Sequence, residues 1–121
     1  MTAQILSMPA ARRMIDLAES EKAFQQRVID LAKACGWLCF HPFDSRKSEA
    51  GYPDLTMCRK GESPVFAELK SERGRLSKAQ AAWINQLRGA GARVYIWRPS
   101  TWNEAVDVLM PHRERKPKGA A

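Results

Sequence analysis

Residues 51–70 read GYPDLTMCRKGESPVFAELK, and their pattern decides the fold. Gly51 and Pro53 frame a turn, and Asp54 follows it at the head of an apolar run over residues 55–59. KGESP supplies a second turn before another apolar run over residues 65–70, so the stretch predicts a β-hairpin. Side chains alternate along a strand. Val65, Ala67 and Leu69 should therefore face a core, while Phe66, Glu68 and Lys70 share the opposite face. Asp54, Glu68 and Lys70 are then expected to meet at one edge of a small sheet.

The flanks continue the pattern in both directions. Upstream, Pro9 suits the start of a short helix, and Ser20 with Glu21 in the next turn reads as the capped start of a second. Phe24, Val28, Leu31 and Cys35 give that second helix an apolar face, and Gly36 stops it. Residues 37–41 form a short strand, and a long polar loop, PFDSRKSEAGYP, leads back to the hairpin. Polar loops of that length in a small domain are commonly functional.

Downstream, Ser77 and Gln80 make an S-x-x-Q capping box that opens a helix to about Arg88. Residues 93–98 form a strand in which Val94 and Ile96 alternate with Tyr95 and Trp97. Thr101 and Glu104 predict a second capping box, opening a last helix that ends at Pro111. The helix after Ser77 can cross from the strand 65–70 to the strand 93–98, which makes those two parallel. The fold class is α/β, a small mixed sheet flanked by helices in the order α-β-β-β-α-β-α.

A chain of 121 residues is one domain. We divide it into an N-terminal segment with a short helix (1–19), a folded body (20–110) and a basic tail (111–121). No apolar run approaches the ~20 residues that span a bilayer, and the N-terminus lacks a secretory pattern, so a cytoplasmic protein with no membrane partner is expected. Twenty Lys and Arg against thirteen Asp and Glu leave a formal charge of +7, which favours an anionic partner, nucleic acid first. Four tail cations, Arg113, Arg115, Lys116 and Lys118, against Glu114 account for +3 of it. The tail reads equally as a solubilising segment or as an arm that touches DNA. Cys35, Cys39 and Cys58 are odd in number and irregularly spaced, which argues against disulfides. With His41, the first two could be imagined as zinc ligands, but buried apolar cysteines are the better account.

Two carboxylates with an ammonium beside them suit a divalent metal and a water held against a phosphodiester. Unaided hydrolysis of that ester is so slow that an enzyme must remove well over ~10 kcal/mol from the barrier. Mg²⁺ takes oxygen ligands and keeps several waters, so Asp54 and Glu68 would suffice. Lys70 could orient the attacking water, help deprotonate it or neutralise the phosphorane, and the sequence does not choose. On spacing alone the alternative also stands: Glu68 and Lys70 as a surface ion pair and Asp54 as a turn residue.

HPFDSRKSEAGYPDL, then AELKSERGRLSKAQAAW, then GARVYIWRP, resemble the VRR-NUC family of the PD-(D/E)XK nuclease superfamily. The likeness runs from about Ser20 to Leu109, and no core motif element is missing. It implies a restriction-endonuclease-like core and a DNA endonuclease dependent on Mg²⁺ or Mn²⁺. It implies Asp54, Glu68 and the Leu69 carbonyl as metal ligands and Lys70 as the catalytic lysine. It also implies roles near the metal for Glu21, otherwise a helix-dipole residue, and for Gln80, otherwise a capping residue. Ser45, Arg46, Lys47, Arg73, Arg75 and Lys78 flank the site in sequence and are candidate DNA contacts. By family analogy the substrate is branched or cruciform DNA, a Holliday junction being one such form, cut by a homodimer. Residues around Trp97 and Trp102 are a possible interface, with core packing as the alternative. A non-catalytic nucleic-acid-binding module is the rival reading of the whole chain.

Overall fold

The computed structural model describes residues 7–42 and 49–111. The hairpin forms as its alternation predicts: β2 (Leu55–Cys58) pairs antiparallel with β3 (Val65–Leu69), Leu55 opposite Ala67. β1 (Leu38–Phe40) lies antiparallel on the outer side of β2, and β4 (Arg93–Trp97) runs parallel to β3, giving a sheet ordered β1-β2-β3-β4. Around the sheet lie α1 (Met8–Ala18), α2 (Glu21–Ala34), α3 (Lys78–Gly89) and α4 (Trp102–Leu109), with a 3₁₀ turn (Pro99–Thr101) leading into the last. α3 is the crossover between the two parallel strands. The mixed sheet with its helices is a restriction-endonuclease-like core.

Helices cover one face of the sheet throughout and the other over β4, leaving Leu38 and Phe40 of β1 exposed. On one, Leu55, Met57, Val65, Ala67, Leu69 and Trp97 pack against Phe24, Val28 and Ala32 of α2 and Ala105 and Leu109 of α4. Each Leu or Phe fully removed from water there contributes roughly 1.5–3 kcal/mol, so this layer carries most of the stability. On the other, α3 packs on β4, with Ile84 and Val94 buried outside that cluster. Glu68 and Lys70 point to this second side because Leu69 points to the first.

Helix ends follow the predicted caps in two cases. Ser20 Oγ accepts from the Ala23 N–H at 3.1 Å, opening α2. Ser77 and Gln80 form the reciprocal box that opens α3, at 3.1 Å and 2.8 Å. The ends of α2 and α4 share one cation. Arg59 Nη1 donates to Cys35 O and to Leu109 O, both at 2.9 Å, with its guanidinium 4.5 Å above the Trp37 ring.

Two expectations are corrected, the Thr101 box and a buried Cys58, and of the two readings of Trp97 and Trp102 core packing holds. The Thr101–Glu104 box does not form: the Thr101 hydroxyl turns back on Arg98, accepting from its N–H at 2.9 Å and donating to its O at 3.1 Å. Pro99 has already started a 3₁₀ turn there, so Thr101 closes that turn instead of capping α4. Trp97 is no free interface, being 0 % exposed on the α2/α4 side, and Trp102 is half-covered with the Arg27 guanidinium 4.1 Å above its ring. Cys58 is exposed, because alternation along β2 turns it away from core-facing Met57. Cys35 and Cys39 pack against the core as small apolar groups, and among the described residues no three His, Cys, Asp or Glu side chains cluster for a metal. No described helix is long and apolar enough to cross a membrane.

Candidate active site

Asp54 stands one residue before β2, and its carboxylate reaches across to β3. Asp54 Oδ2 accepts from the Leu69 N–H at 2.7 Å, a charge-assisted bond that takes the place of a ladder partner where the strands part. His41 Nδ1 meets the Asp54 carbonyl at 3.0 Å; since the carbonyl only accepts, Nδ1 carries the hydrogen. Asp54 is therefore held by both its main chain and its side chain.

Before Asp54, the loop seats against the start of α3. Gly51 has φ of +87°, and a Cβ there would strike the Ala79 carbonyl and lie 2.7 Å from Gln80 N. Only glycine fits both the torsion and the approach. Tyr52 then packs edge-on to Trp83 at 5.1 Å and bonds Thr56 Oγ1 at 2.8 Å. These contacts fix the distance from the Asp54 turn to Gln80.

Gln80 serves two structures at once. Its Oε1 accepts from the Ser77 N–H, and its Nε2 donates to Glu68 Oε1 at 3.2 Å. A carbonyl oxygen toward a donor and an amide nitrogen toward a carboxylate leave one consistent orientation for the side chain. The helix cap anticipated from the sequence and the contact with Glu68 belong to the same residue in one conformation.

Glu68 is 1 % exposed and Lys70 8 %, which rules out the surface ion pair. Lys70 instead pairs with Glu21, 3.9 Å from its Oε1, at the first turn of α2. Its own N–H donates to Trp97 O at 3.0 Å, so the chain is still tied to β4 at this point. Burial raises the Glu68 pKa to about 9, helped by hydrogen bonding and repulsion from Asp54 and by Glu21, with Lys70 pulling the other way. Glu68 Oε2 is buried and meets no donor. Two carboxylates brought together in this way are favourable only with a proton or a cation between them.

The donor set fits a hard cation. Asp54 has one oxygen committed to Leu69 and one left, and Glu68 Oε2 is unsatisfied. Mg²⁺ binds through one or two carboxylates and retains water, so a cage of three side chains is not required. Beside this pair lies a cleft of about 330 Å³ whose wall includes Glu21, Gln25, His41, Glu49, Asp54 and Gln80. Gln25, one turn after Glu21 on α2, was not anticipated, although i and i+4 spacing puts both on one face. The structure brings Asp54, Glu68, the Leu69 main chain, Lys70, Gln80 and Glu21 together. Arg73, Arg75 and Lys78 are exposed on the segment after Lys70 and the first turn of α3. Ser45, Arg46 and Lys47 lie outside the described residues, as do residues 112–121 of the tail.

A family model, the VRR-NUC domain, matches residues 9–100. The chain belongs to the VRR-NUC family. Neither a search of curated proteins nor one of solved structures returned a match. VRR-NUC is a nuclease domain, so this chain is of nuclease type, a hydrolase fold directed at nucleic acid. The matched span begins one residue into α1 and ends in the 3₁₀ turn, so every side chain described in this VRR-NUC site falls inside it.

Proposed function

We propose that this VRR-NUC domain is an endodeoxyribonuclease, dependent on Mg²⁺ or Mn²⁺, that hydrolyses phosphodiester bonds in branched or cruciform DNA as a homodimer. The observation that carries the reading is Asp54 set against Glu68, a buried carboxyl with one oxygen unpartnered, beside a lysine that is itself buried. Asp54, Glu68 and the Leu69 carbonyl would hold the cation. When bound, it supplies Lewis-acid polarisation of the phosphate and a more acidic water.

The chain's own residues do the rest. Gln80 holds the Glu68 carboxylate in place from the α3 side. The Leu69 N–H and His41 hold Asp54. Glu21 pairs with the Lys70 ammonium, which would stabilise the charge that develops on the phosphorane. Exposed Arg73, Arg75 and Lys78, with Ser45, Arg46 and Lys47, would contact the DNA backbone, an interaction that is tight, salt-sensitive and indifferent to sequence.

The test is to incubate the protein with linear, single-stranded, cruciform and four-way DNA in Mg²⁺, Mn²⁺ or EDTA and to map the products. Cleavage is expected with either metal, with preference for the branched forms, and none in EDTA. Asp54→Ala, Glu68→Ala and Lys70→Ala should each abolish cutting while binding largely survives. Binding without cleavage under every metal would instead support a nucleic-acid-binding module, and normal cutting by all three variants would remove the site assignment.

A further inference from the structure

Arg98 stands outside every candidate set above, yet its side chain is committed to the segment that follows Lys70. Its Nη1 donates to Gly74 O at 2.6 Å and Ser71 O at 2.9 Å, with Glu72 O at 3.4 Å. One nitrogen has two hydrogens, so the two shorter bonds are the strong ones and the third is shared. The same turn is tied a second time. Glu72 Oε2 accepts from the Ser100 N–H at 2.9 Å, and its carboxylate lies 3.9 Å from Arg13. The exit of β4 thus grips the turn at both its main chain and its acidic side chain.

Gly74 shows where the turn goes. Its N–H closes on Ser71 O at 3.1 Å, and a Cβ on it would lie 3.0 Å from Ser71 Oγ and 3.4 Å from Lys70 Cδ. The turn is folded back against the stem of Lys70. Arg73 and Arg75 flank Gly74, are exposed, and pair with no acid among the described residues. Two guanidinium groups with no acidic partner among the described residues are therefore displayed beside a buried lysine by a third arginine that is spent on backbone carbonyls.

We propose that Arg98 is a positioning residue: it fixes the turn over residues 71–76 so that Arg73 and Arg75 grip DNA phosphates next to the bond presented to Lys70. This rests on the nuclease reading and adds to it a device for holding substrate. The turn is ordered on folding, so binding DNA does not have to supply that ordering free energy. Arg98 itself touches no phosphate.

The test measures DNA affinity in EDTA, where cleavage plays no part, by fluorescence anisotropy across a series of salt concentrations. Each phosphate contact contributes about 0.9 to the slope of log affinity against log salt. Arg73→Ala with Arg75→Ala should lower the slope by about 1.8. Arg98→Ala should lower it by more than half as much, Arg98→Lys by less, and adding Arg98→Ala to the double variant should change nothing further. Loss of fold stability alone would not move a salt slope. Should Arg98→Ala fail to fold, Arg98→Lys and Glu72→Gln are judged by the same criterion, a reduced slope that vanishes in the double-variant background. A wild-type slope in these variants overturns the proposal, as does a further fall of about 0.9 in the combined variant, which would make Arg98 a phosphate ligand. Wild-type protein that binds no DNA overturns the nuclease reading and this proposal together; binding with an unchanged Arg98 slope overturns this proposal alone.

Discussion

Glu68 concentrates the chemistry of the molecule in one side chain. Its folded pKa of about 9 lies far above the ordinary 4.5, with burial the largest cause and Asp54 next. Without a cation, the folded state holds a proton that the unfolded chain releases. The sign of the linkage follows: stability from this group is fully present below about pH 4.5, falls through the interval up to about 9, and is gone above it. Thermal melts of metal-free protein in EDTA between about pH 5.5 and about pH 9 should show the wild type losing stability as pH rises. Glu68→Gln, which keeps the acceptor for Gln80 and cannot ionise, should lose much less. Parallel pH profiles for the two proteins would mean that Glu68 is ionised in the folded state and that the carboxylate pair is looser than its burial implies.

The start of α3 shows how much an element's own sequence reveals and where it stops. The S-x-x-Q pattern marks the cap because both partners lie within one turn, and the E-x-K pattern marks the shared face because strand alternation is equally local. The same locality made the hairpin and the crossover legible. What could not be read was set by distant partners. The Thr101 box lost to a 3₁₀ turn begun by Pro99, and Trp97 was claimed by α4 and by α2 from far along the chain. Arg98 stands in the GARVYIWRP stretch, but its role could not be read there, since its acceptors are carbonyls that any residue would supply. Gln80 is the point where local and distant demands meet, and two substitutions separate them. Ser77→Ala removes the cap alone and should cost about 1 kcal/mol in a denaturant titration while cleavage persists. Gln80→Glu still offers an acceptor to the Ser77 N–H but turns a carboxylate on Glu68. Cleavage should fall roughly tenfold or more, the worth of one hydrogen bond to a charged group, with the helical signal retained. If Gln80→Glu cuts DNA like the wild type, the residue is a cap and nothing more.

At the scale of the whole molecule, the sheet separates two tasks. The α2/α4 side holds the apolar layer, and the α3 side together with the sheet edge holds acids and a lysine that are costly to bury. A domain of this size has only ~5–15 kcal/mol of net stability, so an unsatisfied carboxylate in its interior matters to the entire fold. The cation that relieves it should therefore stabilise the protein, whether or not DNA is present. Above its Kd, each tenfold rise in Mg²⁺ should add about 1.4 kcal/mol by mass action. For a domain near this length, 1 kcal/mol corresponds to about 3–5 °C in Tm. The rise should be larger at about pH 8 than at about pH 6, because the proton on Glu68 competes more strongly with the metal at the lower pH. Scanning calorimetry with Mg²⁺ or Mn²⁺ on wild type and on Asp54→Ala/Glu68→Ala reads this directly. The wild type should climb with metal and the double variant should not, and the double variant should already melt higher than metal-free wild type at about pH 8, since it has no buried Glu68 carboxyl to keep protonated above its unfolded pKa. A wild-type Tm that ignores millimolar Mg²⁺ and Mn²⁺ at both pH values would mean that the paired acids serve some end other than holding a metal.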